Sequence, residues 1–354
     1  MIESNKKSVG IIFGGKSNEH NVSIASAKAI VNAFRSSSIK ERFDIKLFYI
    51  TKAGKWINDS QSALVINGDL DLKEISKDNY WIKEDNCLHN FNSDEIDIWL
   101  PILHGLNGED GSIQGFLSIQ QKPFIGSGIL GSCLGMDKIS MKLIFSQLKI
   151  PQVNYFPVFH PILTQDEELN SLIERIVKAL HFPMFIKPSN SGSSLGISKV
   201  LNKSEIKDAL IKAWQTDNRI LIEEGHEVRE LECGIIGKNT LLASTVGEVE
   251  YASDWYDYES KYCKDNKIII PAKIDIDTEK KIKELSIYCC EALNITGFAR
   301  ADFFLDKKSN RIYLNEINTI PGFTDKSMFP MLWAASGLKF DQLVARLVDI
   351  TFES

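Results

Sequence analysis

Residues 313–327 read YLNEINTIPGFTDKS, with a carboxylate and an amide, Glu316 and Asn318, two residues apart before a Pro321-Gly322 break. On a strand, period-two alternation puts Leu314, Glu316 and Asn318 on one face and Tyr313, Asn315 and Ile317 on the other. Upstream, FARADFFLD sets Arg300, Asp302 and Phe304 on one face, and the polar turn DKKSN joins the two segments. An antiparallel hairpin over 297–318 therefore brings Arg300 and Asp302 beside Glu316 and Asn318. Two carboxylates and an amide oxygen suit Mg²⁺, which takes few protein oxygens and the rest from water and phosphate. The plainer alternative is a solvated strand face, and four polar groups converging beside Pro-Gly weigh against it.

Two lysines ask for a partner. Lys187, in FPMFIKPSNSGSSLG, interrupts an apolar strand and precedes a Gly/Ser-rich loop. Buried lysines are rare unless paired, and loop amides beside a cation make a cover for phosphate. Lys138, in GMDKISMK, opens a helix, where a solvated helix end is the bland reading. ILIEEGHEVRELE ends a strand with Glu223 and Glu224 and offers Glu230 six residues beyond. Carboxylates there can accept from a base amino group and ribose hydroxyls, although surface acids would look the same. Together these features describe ATP with Mg²⁺, held without a conventional phosphate loop.

Two further loops follow strands near the N-terminus, where open α/β sheets bind ligands. GGKSNEHNVS presents Glu19 and His20 ahead of a helix, and HGLNGEDGSIQG presents His104, Glu109 and Asp110. A lone His104 is more often structural than catalytic, and Glu109 and Asp110 suit a helix start.

The elements that must position these groups read as α/β. SVGIIFGG, FDIKLFYI and DIWLPILHG are strands alternating with helices, one carrying Ile24, Ala27, Val31 and Phe34, another over GSIQGFLSIQQ. That order predicts a parallel, helix-covered sheet over residues 1–127. A second unit, 128–219, holds a helix with Met141, Ile144, Phe145 and Leu148, the strand VNYFPVF, and a helix from Leu169 to Leu180. The strands FPMFIKP and GISKV complete it. The third unit, 220–354, opens at the strand RILIEE and ends in a helix from about Asp341. Within it, residues 248–267 are polar, aromatic and aperiodic, as expected of a functional lid.

Two formal motif matches fail on mechanism. GIIFGGKS, Gly10–Ser17, fits a phosphate-loop pattern, but its first glycine would have to follow the strand that Ile11–Phe13 themselves form. GSGILG, Gly126–Gly131, fits a dinucleotide fingerprint, but residues 150–160 carry no acid to hold a ribose. A tight turn into a helix is the better reading, which leaves an oxidoreductase as a weak competitor.

The chain has 354 residues, 44% hydrophobic and 25% charged, the balance of a soluble globular protein of two or three domains. A net charge of −6 gives no overall attraction to nucleic acid or anionic membrane. No signal peptide or membrane span is legible. The six cysteines form no CxxC pair, so reduced thiols and a cytoplasmic protein are expected.

In order along nearly the whole chain, GGKSNEHNVS, HGLNGEDGSIQG, GMDK, IKPSNSGSSLG, LIEEG…RELEC, YDYESKY and FARADFF…YLNEINTIPGFTDKSMFP resemble the D-alanine–D-alanine ligases of the ATP-grasp superfamily. The resemblance implies a Rossmann-like preATP-grasp domain followed by a two-subdomain ATP-grasp fold. It further implies phosphorylation of one D-alanine by ATP and attack on the acyl phosphate by the amine of a second. Asp302, Glu316 and Asn318 would then hold Mg²⁺ or Mn²⁺, two ions per site. Lys138, Lys187 and Ser194 would bind phosphates, and Glu223, Glu224 and Glu230 adenosine. Glu19 would take the first ammonium, with His104 near its carboxylate, and Ser193 and Tyr262 would join Glu19 in a hydrogen-bonded set. Arg300 and the Gly322 amide would form an oxyanion hole, and Ser327 and Lys261 would hold the second carboxylate beside Met328. A homodimer follows from the same resemblance. Asn21, Glu224 and Met328 depart from the commonest pattern, where Glu, Lys and Leu occur, and none removes a named catalytic group.

Overall fold

SVGIIFGG forms β1 (Lys7–Gly14) up to its last glycine, and the last six residues of the strand are all buried. A computed structural model describes residues 6–57, 59–69, 95–161, 166–192, 196–251 and 267–353. β1 pairs in parallel with β2 (Phe43–Ile50), and the short β3 (Trp56–Ile57) adds an antiparallel edge that periodicity did not announce. β4 (Ile98–Pro101) lies parallel on the other side, giving the order β3-β2-β1-β4. Among the described residues the helices of this unit are α1 (His20–Phe34), α2 (Asp59–Asn67) and α3 (Ser112–Ile119), and the expected stripe on α1 buries Ala27, Val31 and Phe34. Gly10 sits inside β1, where a Cβ would stand 2.5 Å from the Trp99 ring, so that glycine serves close packing rather than a phosphate. Gly14 turns the chain at φ +92°, a region that L side chains avoid.

GSGILG does turn into a helix, α4 (Ile129–Met136), followed by α5 (Lys138–Gln147). Next come β5 (Tyr155–Val158), α6 (Asp166–Ala179), β6 (Met184–Pro188), β7 (Ser198–Val200), α7 (Ile206–Trp214) and β8 (Ile220–Glu224). The strands make an antiparallel sheet in the order β5-β8-β6-β7. Here the structure corrects a boundary. RILIEE was expected to open the third unit at residue 220, but β8 pairs with β5 and β6 and buries Ile220 and Ile222 with Leu172 and Ile176. A five-residue apolar run announces a strand, but its sheet is chosen by partners more than thirty residues away.

The last sheet runs β11-β10-β9-β12-β13, all antiparallel. Its strands are β9 (Val228–Gly237), β10 (Leu241–Glu250), β11 (Lys267–Ile269), β12 (Gly297–Asp306) and β13 (Ile312–Asn318). The helices α8 (Ile276–Ala292), α9 (Met328–Ala335) and α10 (Phe340–Thr351) accompany it. The cores do not respect sequence order. Met141 and Phe145 of α5 pack with Ile235, Cys289 and Ala301, so the start of the second unit serves the third. Leu343, Val344 and Leu347 of α10 share a cluster with Ala27, Val31 and Phe34 of α1, together with Phe323 and Phe329. Fully burying one such side chain is worth about 1.5–3 kcal/mol, so these shared clusters hold first and last units together. Among the described residues no helix is long and apolar enough to cross a membrane. Of the expected lid, 248–250 belong to β10 and 267 to β11, while 252–266 lie outside the described residues.

Candidate active site

The hairpin forms in the expected register, with Arg300 opposite Asn318 and Asp302 opposite Glu316. Its facing differs in one respect. A bulge pairs Phe303 with Leu314 and leaves Asn315 extra, so Leu314 turns into the core beside Ile317 and Tyr313 takes the ligand-side face opposite Phe304. A single inserted residue reverses alternation beyond it, and nothing in YLNEIN marks where. Glu316 and Asn318 still share their face.

Asp302 holds Arg300 bidentately, at 2.7 Å from Nε and 2.7 Å from one terminal nitrogen. Glu232 of β9 stands 2.8 Å from the same Nε. Burial would lower the guanidinium pKa, but Asp302 and Glu232 raise it well above its ordinary value. Asn318 Nδ2 donates to Asp302 Oδ2 at 2.8 Å, and Lys138 Nζ lies 3.4 Å from Glu316. Among the described residues no three His, Cys, Asp or Glu side chains gather for a metal. A third protein oxygen would therefore come from the Asn318 amide, whose oxygen and nitrogen exchange by a simple flip. The three are hard oxygen donors on adjacent strands, a set that fits Mg²⁺ or Mn²⁺.

Lys138 opens α5 behind the Asp137 N-cap, and its Nζ also donates to the Ser191 carbonyl at 2.9 Å. It thus ties the Gly/Ser loop to the metal-side carboxylate. Lys187, on β6, forms an ion pair with Glu223. The second oxygen of Glu223 lies 2.6 Å from Lys142, a residue that sequence reasoning passed over. Burial would raise the Glu223 carboxyl, but the two ammonium groups hold it at about 2. Neighbouring strand residues point to opposite faces, so Glu224 is turned away from Glu223. It accepts from Asn154 Nδ2 at 2.9 Å and from the His181 backbone at 2.8 Å. Of the three glutamates expected at adenosine, Glu223 and Glu224 therefore point to opposite faces of β8. Glu230, at the start of β9, accepts from the Tyr251 hydroxyl at 3.1 Å.

The N-terminal loops reach this centre. Glu19 Oε2 lies 2.5 Å from where a Cβ on Gly105 would stand and 2.9 Å from one on Gly192. His104 is buried, with Nδ1 at 2.9 Å from the Ile320 carbonyl and Nε2 at 3.0 Å from Ser26 Oγ. Phe323 N–H donates to the same Ser26 oxygen at 3.2 Å. A carbonyl only accepts, so Nδ1 carries the proton and the Ser26 hydroxyl donates to Nε2. Burial lowers the His104 pKa, in agreement with a neutral ring. Both ring nitrogens are thus engaged by protein, and His104 grips the loop around Gly322 rather than offering a free donor to a carboxylate. Glu109 accepts from Gly105 N–H at 2.8 Å and Ile320 N–H at 3.3 Å, which makes it more than a helix-start acid. Burial and the nearby Glu19 push its carboxyl up to about 8, against those two donors.

Ser327 Oγ accepts from Thr324 N–H at 3.0 Å and lies 3.2 Å from a Cβ built on Gly322. Met328 is buried, with Sδ 3.0 Å from a Cβ built on Gly247 of β10. Ser193, Ser194, Lys261 and Tyr262 lie outside the described residues. Sequence reasoning missed Ser26, Lys142 and Glu232. Only Lys142 carried a signal, since KISMK puts it one turn after Lys138 on a face that buries Met141 and Phe145.

The family described as D-ala D-ala ligase N-terminus matches residues 8–127, and that described as D-ala D-ala ligase C-terminus matches 144–349. A D-alanine--D-alanine ligase of Prochlorococcus marinus (strain MIT 9312) is 60% identical over 354 residues, covering 100% of both chains. One from Prochlorococcus marinus (strain NATL2A) is 46% identical, covering 99% of this chain and 99% of the relative. Among solved structures, the VanG D-Ala:D-Ser ligase of Enterococcus faecalis superposes with a TM-score of 0.82 at 31% identity, over 98% of this chain and 100% of that one. The D-alanine-D-alanine ligase of Coxiella burnetii gives 0.80 at 27% identity, over 98% of this chain and 94% of that one.

Proposed function

This chain belongs to the D-alanine–D-alanine ligase family, and from that premise we infer that it joins two D-alanines at the expense of ATP through the residues of the hairpin, β6 and the N-terminal loops. It is a ligase of the ATP-grasp fold, and its product serves peptidoglycan precursor synthesis. The observation that carries the site reading is Lys138, whose ammonium bridges the Gly/Ser loop and Glu316.

In this reading Lys138 and Lys187 bind the ATP phosphates, and Asp302, Glu316 and Asn318 hold Mg²⁺ or Mn²⁺. Such an ion supplies charge neutralisation to the transferring phosphoryl group. Glu19 takes the ammonium of the first D-alanine, whose carboxylate oxygen attacks the γ-phosphorus as the bond to ADP breaks. The amine of the second D-alanine then attacks the acyl carbon. Arg300 and the Gly322 N–H stabilise the tetrahedral oxyanion, each such donor being worth ~3 kcal/mol. Collapse expels phosphate, which overall takes up the proton shed by the amine, and leaves the new amide. By the family resemblance Ser327 and Lys261 would hold the second carboxylate, Ser193 and Tyr262 would join Glu19 in a hydrogen-bonded set, and Ser194 would add to the phosphate cover. Glu230 and the backbone at Glu224 face adenosine. Cytoplasmic work, a homodimeric state and two metal ions are the family's expectations and are carried here as such.

The same fold is shared by a relative described as a D-Ala:D-Ser ligase, so the fold alone does not choose the second substrate. Phosphate release from ATP with D-alanine, L-alanine, D-lactate or D-serine added separately tests the reading. D-alanine should support turnover by itself. Release only with another additive would overturn the substrate assignment while leaving the fold intact.

A further inference from the structure

The two lysines on Glu223 are not equivalent. Lys187 keeps 13% of its side chain accessible, beside the Gly/Ser loop, whereas Lys142 keeps 1% and Glu223 3%. A buried carboxylate needs one cation to be neutralised, and here it has two. Replacing a buried ion pair by apolar groups is often neutral for stability, so folding alone does not call for the third charge.

We propose that Lys142 is a charge-balancing residue for nucleotide binding: by neutralising Glu223, it leaves Lys187 with a net positive charge to offer the ATP phosphates. This role presupposes Lys187 as a phosphate ligand, the reading proposed above. Lysine is a flexible point charge, and a carboxylate at its tip fixes where that charge stands. Alone, that carboxylate would also cancel it. Burial lowers the Lys142 pKa while the Glu223 carboxylate beside it opposes that. With both lysines protonated the cluster Lys142–Glu223–Lys187 sums to one positive charge, and without Lys142 it sums to zero. The geometry of α5 serves this end. One turn separates Lys138 from Lys142, so a single helix face sends Lys138 to Glu316 and the Gly/Ser loop, and Lys142 to Glu223. Glu223 is the fixed element between them, set by β8 pairing directly with β6.

The test is Lys142→Met in the full chain, with dissociation constants for adenosine, ADP and ATP measured by calorimetry in the presence of Mg²⁺. ATP should weaken by about 10- to 100-fold, as expected for one lost charge several ångströms away in a medium of intermediate dielectric. ADP should weaken less, and adenosine by no more than about twofold. Equal weakening of all three would mean general damage to the site and would overturn the proposal, as would no weakening of ATP. Lys187→Met separates this idea from the reading beneath it. If that variant loses ATP affinity and Lys142→Met does not, charge balance is wrong and the phosphate role stands. If Lys187→Met binds ATP normally, the phosphate role itself fails. Should Lys142→Met not fold, Lys142→Gln keeps a polar side chain without the charge and should show the same ATP-selective loss. Equal weakening of adenosine, ADP and ATP in that variant, or no weakening of ATP, would refute the proposal.

Discussion

The hairpin β12–β13 and the loop that leaves it are held in opposite ways. Up to Asn318 the contacts are charged, with Arg300 between Asp302 and Glu232 and Lys138 beside Glu316. From Ile320 to Phe323 the side-chain anchors come from the N-terminal unit: the neutral pair Ser26 and His104, and Glu109, whose raised pKa favours its own neutral form. Charged groups can exchange one partner for another when a cation or phosphate arrives. Neutral hydrogen bonds to a backbone hold one geometry, which suits the role proposed for the Gly322 amide at the oxyanion. The first region is built to respond to ligand, and the second to stay still.

Glu316→Gln probes the charged side and should have the largest effect. It keeps shape but removes half the hairpin's negative charge toward a metal, and turnover should fall by about 10³-fold or more. Mg²⁺-dependent phosphate release, read beside a melting curve that stays within a few degrees of the parent, checks it. Chelation of Mg²⁺ should have the same outcome, and near-normal activity in either case would make this face ordinary surface.

Ser26→Ala probes the neutral side. It strips the Phe323 N–H and His104 Nε2 of their shared partner, and kcat should drop about 10- to 100-fold with the KM for ATP unchanged. Hydrogen exchange at Phe323 should quicken in the same variant. A rise in the ATP KM with kcat preserved would erase the contrast between the two regions.

If Met328, buried just past the anchored loop, walls the second-substrate pocket as the family resemblance implies, that wall offers a hydroxyl no partner. Leaving a serine hydroxyl unpaired costs ~1–3 kcal/mol, so D-alanine should outcompete D-serine by about tenfold as second substrate. Product masses from a competition assay decide it, and a dominant D-alanyl-D-serine product would show that the loop's far end is not apolar toward substrate.

The last prediction concerns stability, through pH, rather than turnover. The Glu109 carboxyl stands at about 8 in the fold against an ordinary 4.5, so between those values the native state binds more protons than the unfolded chain. Its contribution to stability therefore declines as pH rises from about 5 to about 8. Glu109→Gln cannot titrate, and its melting temperature relative to the parent should climb across that range. A constant difference would mean that Glu109 does not titrate there.

What could be read from residue order was local. The strand face of Arg300 and Asp302, the α1 stripe, the turn at GSGILG and the lysine beside a Gly/Ser loop all follow from spacings of two, three or four residues, where backbone geometry dictates which side chains are neighbours. Resemblance along the whole chain added the family and its chemistry. What tertiary structure alone decided was long-range. The sheet that β8 joins, the bulge that turns Leu314 inward, and the α10 helix returning to α1 each depend on segments far apart in sequence. The same holds for Ser26, whose hydroxyl meets Phe323 across 297 residues, and for Glu223, whose two lysines come from a helix and a strand. Hydrogen bonds and ion pairs act over about 3–4 Å, so the partner of a polar side chain is set by the packing that brings it within reach, not by its position in the chain.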